Sequence, residues 1–386
     1  MIYFDSAATT LQKPSPVWRA SSYAMRHYAS PGRGGYASAE GAEQTVYACR
    51  EAAGKLFHVP AERVVFTSNA THGLNIAIKS VVRPGDTVLV SGYEHNAVSR
   101  PISNIEGVTV RIATSPLFQP EALLQSVRRQ LDDRVSAVVM NHVSNVFGYI
   151  LPVEEVASLC RERGIPFILD ASQSAGTIPI DCEALGAQFV ACPGHKGLYG
   201  PQGTGLLLCG ERAPLHPLIE GGTGSLSAST EMPPFLPDRL EAGTHNVPGI
   251  AGLLEGIRFV MRKTPEAILK GEQSLARMTV RGLRQMGGVQ VYAAEPFGHQ
   301  SGVVSFEMDH MDCQDVAAYL AKRGIAVRAG LHCAPFAHAS VGTLERGTVR
   351  VSFSAFNTKS EVSVFLQVMG ALSRRRRSHL PQGRGK

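Results

Sequence analysis

Lys196 lies between an apolar run at residues 189–192 and a loop at residues 197–205 that contains four glycines and one proline. Glycines at that density let the backbone pass close to a bulky ligand or adopt a positive φ. A lysine held at a strand end, with little room to swing, suits covalent Schiff-base chemistry. A lysine beside a glycine loop is more often solvated, so this stretch alone does not decide between the two roles.

A carboxylate occupies a matching position in an earlier segment. Residues 165–169 form an apolar run that predicts a buried strand, and the run ends at Asp170. An acid at one strand end and a lysine at the end of a nearby strand can bracket a planar cofactor. The acid would pair with a pyridine nitrogen and the lysine would bond to an aldehyde carbon, as pyridoxal phosphate requires. The alternative is that Asp170 only caps a turn.

The segment from Asp170 to Gly176, followed by Gly194-His195-Lys196, resembles the class V aminotransferase group of fold-type I pyridoxal-phosphate enzymes. Within that group the chain is most similar to cysteine desulfurases and selenocysteine lyases. The similarity extends from residues 5–10 to residues 356–358. It implies an α/β fold with a large, mostly parallel sheet, a smaller C-terminal α+β domain, and pyridoxal 5'-phosphate as cofactor.

Composition sets bounds on the class of protein. The chain has 386 residues, of which 44% are hydrophobic and 18% charged, as expected for a globular enzyme. It contains no apolar run near the ~20 residues that span a bilayer and no signal segment at its start. We therefore expect a cytoplasmic protein that does not bind membranes.

The formal net charge of +6 has a local origin. Six positive charges and no acid follow Ser373, so the rest of the chain is neutral. We therefore do not expect nucleic-acid binding. We interpret residues 374–386 as a basic disordered tail.

The seven cysteines are scattered, odd in number and without a CxxC pair, so they indicate neither a disulfide framework nor a zinc site. We expect six of them to be small, reduced core residues. These are Cys49, Cys160, Cys182, Cys192, Cys209 and Cys313.

Short apolar runs alternate with helical patterns from about residue 63 to residue 210, which favours a largely parallel sheet covered by helices. Functional residues gather at strand ends in such sheets. The pattern then changes to a smaller α+β unit. We expect an N-terminal segment (1–14) near the site, a large cofactor-binding domain (15–248) and a small domain (249–373).

Residues 68–73 follow a predicted strand and open a helix near Ala70, whose N-terminus is a natural seat for phosphate. A plain helix cap would look similar. The resemblance implies Thr71 and His195 as phosphate contacts. It also implies that Gly243 and Thr244 reach the phosphate of a neighbouring subunit in a homodimer. Pro193 replaces a common Ser or Thr of relatives and lacks an N–H, so one phosphate contact must be lost or replaced.

The same resemblance assigns further residues around the cofactor ring and the substrate. His95 would stack on the ring and move protons, Gln173 would bond the ring hydroxyl, and Asn145 would lie near cofactor and substrate. Arg350 occupies the position that binds the substrate carboxylate, for which a planar donor fork is suited. Arg328 is a second candidate, with surface solvation as its alternative.

Cys333 differs from the other thiols because it follows a short predicted strand in a loop containing Gly and Pro. The segment is similar to the RxGxHCA loop of one desulfurase group, although Leu331 stands where many relatives have His. An ordinary thiol is only ~3% thiolate at pH 7. Positive charge from Arg328 or His332 would raise that fraction.

The resemblance therefore implies a cysteine desulfurase that converts L-cysteine to L-alanine and leaves sulfur on Cys333 as a persulfide. In this scheme Lys196 holds the cofactor and removes the α-proton. The alternatives are a selenocysteine lyase, another lyase or aminotransferase on this scaffold, and an inactive sulfur-relay scaffold. A small thiol or an acceptor protein would then collect the sulfur.

Overall fold

The computed structural model describes residues 1–32 and 34–377. The strands, in chain order, are β1 (Ile2–Tyr3), β2 (Val64–Thr67), β3 (Thr87–Ser91), β4 (Thr109–Ala113), β5 (Val135–Asn141), β6 (Phe167–Asp170), β7 (Phe189–Pro193), β8 (Gly205–Cys209), β9 (Val289–Tyr292), β10 (Val303–Met308), β11 (Ile325–Ala326), β12 (Arg328–Gly330) and β13 (Thr348–Ser352). The helices are α1 (Ser15–His27), α2 (Ala37–Phe57), α3 (Ala70–Val81), α4 (Asn96–Ser103), α5 (Pro120–Gln130), α6 (Val153–Glu162), α7 (Cys182–Leu185), α8 (Val247–Lys263), α9 (Pro265–Arg284), α10 (Cys313–Ala321), α11 (Pro335–Val341) and α12 (Lys359–Arg377).

The central sheet has seven strands in the order β2-β8-β7-β6-β5-β3-β4. Strands β4, β3, β5, β6 and β7 are mutually parallel, whereas β8 runs antiparallel to both of its neighbours. The predicted mostly parallel α/β sheet is therefore confirmed. Because helices return the chain between parallel strands, the carboxyl ends of these strands meet at one edge.

Helices cover both faces of this sheet, which explains why its strands are almost continuously apolar. In β3, Val88 and Val90 pack into one hydrophobic cluster and Leu89 packs into the cluster on the opposite face. This alternation follows from the two-residue period of a strand. Two hydrophobic cores, one on each face, therefore stabilise the sheet. Polar residues can occupy the ends of its strands.

The smaller unit contains a four-stranded antiparallel sheet in the order β12-β13-β10-β9 and a two-stranded sheet of β1 with β11. A third cluster, which includes Phe4, Phe306 and Phe365, packs this unit together. The predicted smaller α+β part of the fold is thus confirmed.

The first thirteen residues connect the smaller unit with the turn at Lys196. Ile2 and Tyr3 pair in parallel with Ile325 and Ala326. The backbone N–H of Thr10 then donates to the carbonyl of His195 at 3.0 Å. This path brings a segment that is remote in sequence into contact with the backbone beside Lys196.

The expected domain boundaries are only partly reflected in the packing. The sequence pattern changes near residue 249, where α8 has begun, but α8 packs on α1 and α2 and contributes Ile250, Leu253 and Ile257 to a core of the large sheet. This packing favours placing α8 with the larger unit, and the boundary itself stays a prediction.

Helix α12 runs to Arg377, four residues past residue 373, after which we expected a disordered tail, and that boundary stays a prediction. The rest of that predicted tail, residues 378–386, lies outside the described residues. Among the described helices, none has the length and apolarity required to cross a membrane.

Candidate active site

Eight of the predicted site residues line one open cleft of about 510 Å³ at the carboxyl edge of the central sheet. They are Ala70, Thr71, His95, Asn145, Asp170, Gln173, His195 and Lys196. The cleft is completed by Asn69, Ala97, Asn141, Val143, Ser172 and Pro193. The structure therefore brings together motifs that span more than a hundred residues of sequence.

The N-terminus of α3 forms one wall of the cleft. Asn69 is the N-cap of this helix, and its Oδ1 accepts the N–H of His72 at 2.9 Å. The N–H groups of Ala70 and Thr71 have no partner within the helix because they belong to its first turn. The helix dipole adds partial positive charge at this point. These groups can bind an anion such as a phosphate.

Lys196 and His195 also line the cleft. Burial lowers the pKa of Lys196 to about 8, although the charge of Asp170 acts in the other direction. Burial, with the nearby Lys196 and Lys13, lowers the pKa of His195 to about 4. At neutral pH His195 is therefore a neutral ring, and about a tenth of Lys196 is free amine.

The N-terminal segment holds the turn at Lys196 from outside. Lys13 Nζ and Thr10 Oγ1 each donate to the carbonyl of His195 at 3.0 Å, and Thr9 Oγ1 donates to it at 3.2 Å. Burial also lowers the pKa of Lys13 to about 8. Three side chains thus fix the backbone that carries the lysine.

Two glycines allow backbone segments to pack closely at the turn that carries Lys196. Gly176 has φ +86°, and a Cβ at this position would approach the carbonyl oxygen of Gly197 to 2.2 Å. A Cβ at Gly197 would in turn meet the carbonyl oxygen of Ala175 at 2.3 Å. Among the loop glycines only Gly203 has a positive φ. The glycine density therefore mainly permits two chain segments to cross beside Lys196.

Asp170 ends β6 and is almost fully buried, with 3% of its surface exposed. Its Oδ1 accepts the N–H of Ser172 at 2.9 Å. Asp170 also lines the cleft that Lys196 lines, so it is more than a turn cap. The charges of Asp170 and Lys196 influence each other.

His95 precedes α4, and its Nδ1 accepts the N–H of Ala97 at 3.0 Å. In the neutral ring the proton is therefore on Nε2. Burial lowers the pKa of His95, and the Asp170 carboxylate opposes that effect. A neutral imidazole with a free Nε2–H can cover a flat ligand and exchange a proton with it.

Two amide side chains link the cleft to other segments. Asn145 Nδ2 donates to the carbonyl of His332 at 2.8 Å, which joins the cleft to the Cys333 loop. Gln173 Nε2 donates to the carbonyl of Ala7 at 2.9 Å. Gln173 is therefore also held by the N-terminal segment.

Arg350 and Arg328 do not line the cleft, and both pair with Asp5. The Arg350 side chain is 2% exposed and donates to Asp5 Oδ1 at 3.1 Å and to the carbonyl of Asn145 at 2.8 Å. Burial lowers the pKa of Arg350. Arg328 is half exposed and contacts Asp5 at 2.8–3.1 Å. Two cations thus share one carboxylate, which leaves excess positive charge next to Asn145.

Cys333 is the exposed member of the seven free cysteines, and the six predicted core thiols are buried. Both His332 and Cys333 have positive φ angles, 49° and 55°. The carbonyl of Cys333 accepts the N–H of Asn96 at 2.7 Å. The thiol therefore projects from a strained turn that is fastened beside His95.

The expectation that His332 supplies positive charge to this thiol is wrong. Burial and the nearby Arg350 lower the pKa of His332 far below its ordinary value, so the ring is neutral. Its Nε2 lies 3.2 Å from the carbonyl of Thr348. Arg328 remains the candidate cation, because its charge interacts with Cys333.

Gly243 and Thr244 are exposed and lie outside the cleft of their own chain. Gly243 has φ +96°, and its N–H donates to Gly222 at 2.8 Å. Their expected contribution to a neighbouring subunit stays a prediction.

Sequence reasoning missed several residues at this site. Asn141 ends β5 in the cleft, and its N–H donates to Glu94 Oε1 at 3.0 Å. Burial raises the pKa of Glu94 to about 8. A polar residue at the end of an apolar strand was the available signal for Asn141, as it was for Asp170. No local pattern marks Lys13 or the pairing of Asp5.

The amino-acid sequence matches the family model of class-V aminotransferases over residues 2–365. The chain belongs to this family. It is 32% identical to a probable cysteine desulfurase of Methanothermobacter thermautotrophicus, a match covering 94% of this chain and 92% of the relative. It is 33% identical to a cysteine desulfurase of Salmonella agona, covering 94% and 91%.

Solved structures agree with this membership. The apo cysteine desulfurase of Thermococcus onnurineus superposes with a TM-score of 0.87 and 31% identity, covering 97% of this chain and 95% of that one. The cysteine desulfurase CsdA of Escherichia coli, in an S-sulfonic acid form, has a TM-score of 0.83 and 26% identity, covering 97% and 94%. The predicted family and the predicted fold are both confirmed.

Class-V aminotransferases depend on pyridoxal phosphate, and the residues of the cleft fit that group. The first turn of α3 can take a phosphate, and Asp170, His95 and Lys196 surround the remaining space. Two buried atoms of cleft residues, Asn145 Oδ1 and His195 Nδ1, have no partner among the described residues. Unpaired buried polar atoms are costly, so a polar ligand here would stabilise the site.

Proposed function

We propose that this protein is a pyridoxal-phosphate-dependent cysteine desulfurase that transfers sulfur from L-cysteine to Cys333 and releases L-alanine. The observation that carries the proposal is one exposed thiol beside a cleft with a buried lysine and a buried aspartate. An ordinary aminotransferase has no need of a loop thiol at this place.

The cleft residues would hold the cofactor by its separate parts. The first turn of α3, Thr71 and His195 would take the phosphate, and Asp170 would pair with the ring nitrogen. His95 would cover the ring, Gln173 would reach its hydroxyl, and Lys196 would bond it covalently. Bound in this way, pyridoxal phosphate supplies an electron sink for a carbon that loses its proton.

Substrate binding would use the excess positive charge behind Asn145. Arg350 and Arg328 share the single carboxylate of Asp5, so an added carboxylate would find a net positive field. Arg350 also donates to the Asn145 carbonyl, which couples this charge to the cleft. We therefore assign the substrate carboxylate to Asn145 and Arg350, with Arg328 assisting.

Lys196 would take the α-proton of the substrate, because burial lowers its pKa to about 8 and leaves neutral amine available. The Cys333 thiolate would then form an S–S bond with the substrate sulfur while the carbon–sulfur bond breaks, its electron pair remaining on carbon. Protonation of that carbon gives alanine. One L-cysteine and one thiol yield one alanine and one persulfide, so no external oxidant is required.

We also propose a homodimer, a sulfur acceptor and a cytoplasmic location. Exposed apolar side chains at Ile219, Leu226 and Phe235 precede the exposed Gly243, as at an association surface. An exposed Cys333 would leave the persulfide accessible to a protein or small thiol. Free thiols throughout the fold are typical of a reducing compartment.

The test measures alanine from L-cysteine for the holoenzyme, for Cys333→Ala and for the matched control Cys160→Ala, which removes a buried thiol. We expect alanine from the wild type and the control and none from Cys333→Ala. Equal alanine from all three would refute Cys333 as the sulfur acceptor. If cofactor is bound and no variant makes alanine, cysteine is the wrong substrate, and L-selenocysteine is tested next.

A further inference from the structure

A second pocket of about 390 Å³ lies behind the turn at Lys196 and shares Ser172, Gln173 and Lys196 with the cleft. Segments distant in sequence converge on it from the N-terminus, α9, the four-stranded sheet and the loops that follow β6 and β7. Its remaining lining residues are Ser6, Ala7, Thr177, Gly197, Glu272, Ser301, Gly302, Val303, Ser352 and Phe353. The proposed desulfurase reaction assigns no role to this space.

Glu272 is the acid in this lining, and it is 7% exposed. Among the described residues it has neither a hydrogen-bond nor an ion-pair partner. A Cβ at Gly302 would come to 2.8 Å from Glu272 Oε2, so a glycine is needed beside the carboxyl group. A buried carboxyl group without partners is costly whether it is charged or neutral.

The charges around the pocket leave Glu272 uncompensated. Burial alone raises the pKa of Glu272 to about 8, without an opposing contribution from a cation. The charged groups that shift the pKa of Lys196 are Asp170, Arg350, Asp5 and Arg328, and Glu272 is not among them. Arg350 and Asp5, on the two segments packed against the pocket, pair with each other. A cation could therefore enter without displacing an existing ion pair.

Besides the Lys196 amine and the Gln173 amide, the polar groups in the lining are oxygen ligands. Ser6 Oγ is buried and has no partner among the described residues. Thr177, Ser301 and Ser352 add hydroxyl groups. Oxygen ligands suit hard cations. The described residues contain no cluster of three His, Cys, Asp or Glu side chains that would hold a multivalent ion. One carboxylate with neutral hydroxyls matches a single positive charge.

We propose that this pocket binds a monovalent alkali cation, K⁺ or Na⁺, through Glu272 and the surrounding hydroxyl groups. The ligands come from α9, the N-terminal segment and residues 301–303, so the ion connects the smaller unit to the turn that carries Lys196. Binding requires the ionised carboxylate and therefore releases a proton. The proposal is independent of the proposed desulfurase activity.

The test follows thermal unfolding of the holoenzyme at pH 8 in KCl or NaCl, with tetramethylammonium chloride keeping the ionic strength constant. We expect the alkali cation to raise the midpoint by about 2–4 °C near saturation. At pH 6 the half-saturating concentration should be about 50-fold higher, because protons compete for the carboxylate. Glu272→Gln should lose the response, and Glu266→Gln, an exposed acid on the same helix, should keep it.

The glutamine side chain in Glu272→Gln resembles the protonated carboxyl group of Glu272. At pH 6 without alkali cations, the variant should therefore have the same midpoint temperature of unfolding as the wild type. Tl⁺ soaked into crystals of the holoenzyme should give an anomalous peak at Glu272. The proposal is overturned if tetramethylammonium acts as well as K⁺ and Na⁺, if Glu272→Gln responds like the wild type, or if no Tl⁺ peak lies at Glu272. None of these readouts uses alanine formation, so failure here leaves the desulfurase proposal standing.

Discussion

Replacing Asp5 with asparagine removes the carboxylate that two arginines share. Asp5 is 7% exposed, and its partner Arg350 is 2% exposed at the side chain. Removing one partner of a buried pair leaves the other charge uncompensated and costs about 3–5 kcal/mol. Arg328 is half exposed, so its pair with Asp5 contributes at most about 1 kcal/mol.

The cost of Asp5→Asn should therefore come mainly from Arg350. Asparagine retains an oxygen that can accept a hydrogen bond, which places the expected loss near the lower limit, at about 3 kcal/mol. Urea unfolding of the holoenzyme measures this loss as a shift of the midpoint at an unchanged slope. The matched control Arg328→Gln removes the exposed partner of the same carboxylate and should cost about 1 kcal/mol or less.

Equal losses from Asp5→Asn and Arg328→Gln would refute this reasoning. That result would mean that the exposed pair contributes as much as the buried one. A change of slope in Asp5→Asn would show instead that the substitution alters the unfolded or native ensemble.

Four further outcomes are expected. Iodoacetamide should modify one thiol of the native holoenzyme and none of Cys333→Ser, since the other cysteines are buried; peptide mass spectrometry counts the products. Gly176→Ala should prevent stable cofactor binding, measured by absorbance and dialysis, because its Cβ meets a carbonyl oxygen at 2.2 Å. Gly164→Ala, which also has a positive φ but open space, should retain the cofactor. Burial raises the pKa of Glu94 from 4.5 to about 8, so its stabilising contribution is complete below pH 4.5 and is lost as pH rises through about 8. The unfolding free energy should therefore fall with pH more steeply in the wild type than in Glu94→Gln. Asn69→Ala should cost about 1 kcal/mol in urea unfolding, because it removes the cap of α3.

The sequence predicts those parts of the site whose positions follow directly from the secondary structure along the chain. Asp170 and Lys196 each follow an apolar run, and parallel strands bring such ends to one edge whatever the loops do. Ala70 follows its strand by three residues, so its place at a helix N-terminus was also local information. These predictions needed only strand ends and a helix start.

Long-range partners were beyond local patterns. Asp5 and Arg350 are 345 residues apart, and their pairing depends on β1 lying beside β11 and on Asp5 bridging to Ser352. The resemblance assigned Arg350 to the substrate carboxylate. The structure shows that an internal acid, Asp5, pairs with this arginine.

The electrostatic state of a histidine depends on burial, which no motif encodes. His332 adjoins Cys333 in sequence and was expected to supply it with positive charge, yet burial and the nearby Arg350 lower the pKa of its ring and keep it neutral. The glycine loop is a second example, because its small residues accommodate neighbouring backbone more than ligand. In both cases the residue type indicated a functional role, but the sequence did not show which groups would surround the residue in the fold.

The central claim is that the sulfur of L-cysteine passes to Cys333. It is tested most directly with L-cysteine carrying isotopically labelled sulfur, followed by rapid alkylation and peptide mass spectrometry without reductant. The account predicts one labelled sulfur on the peptide that contains Cys333, formed together with alanine. Alanine accumulating with no label on that peptide, or label on a different cysteine, would contradict it.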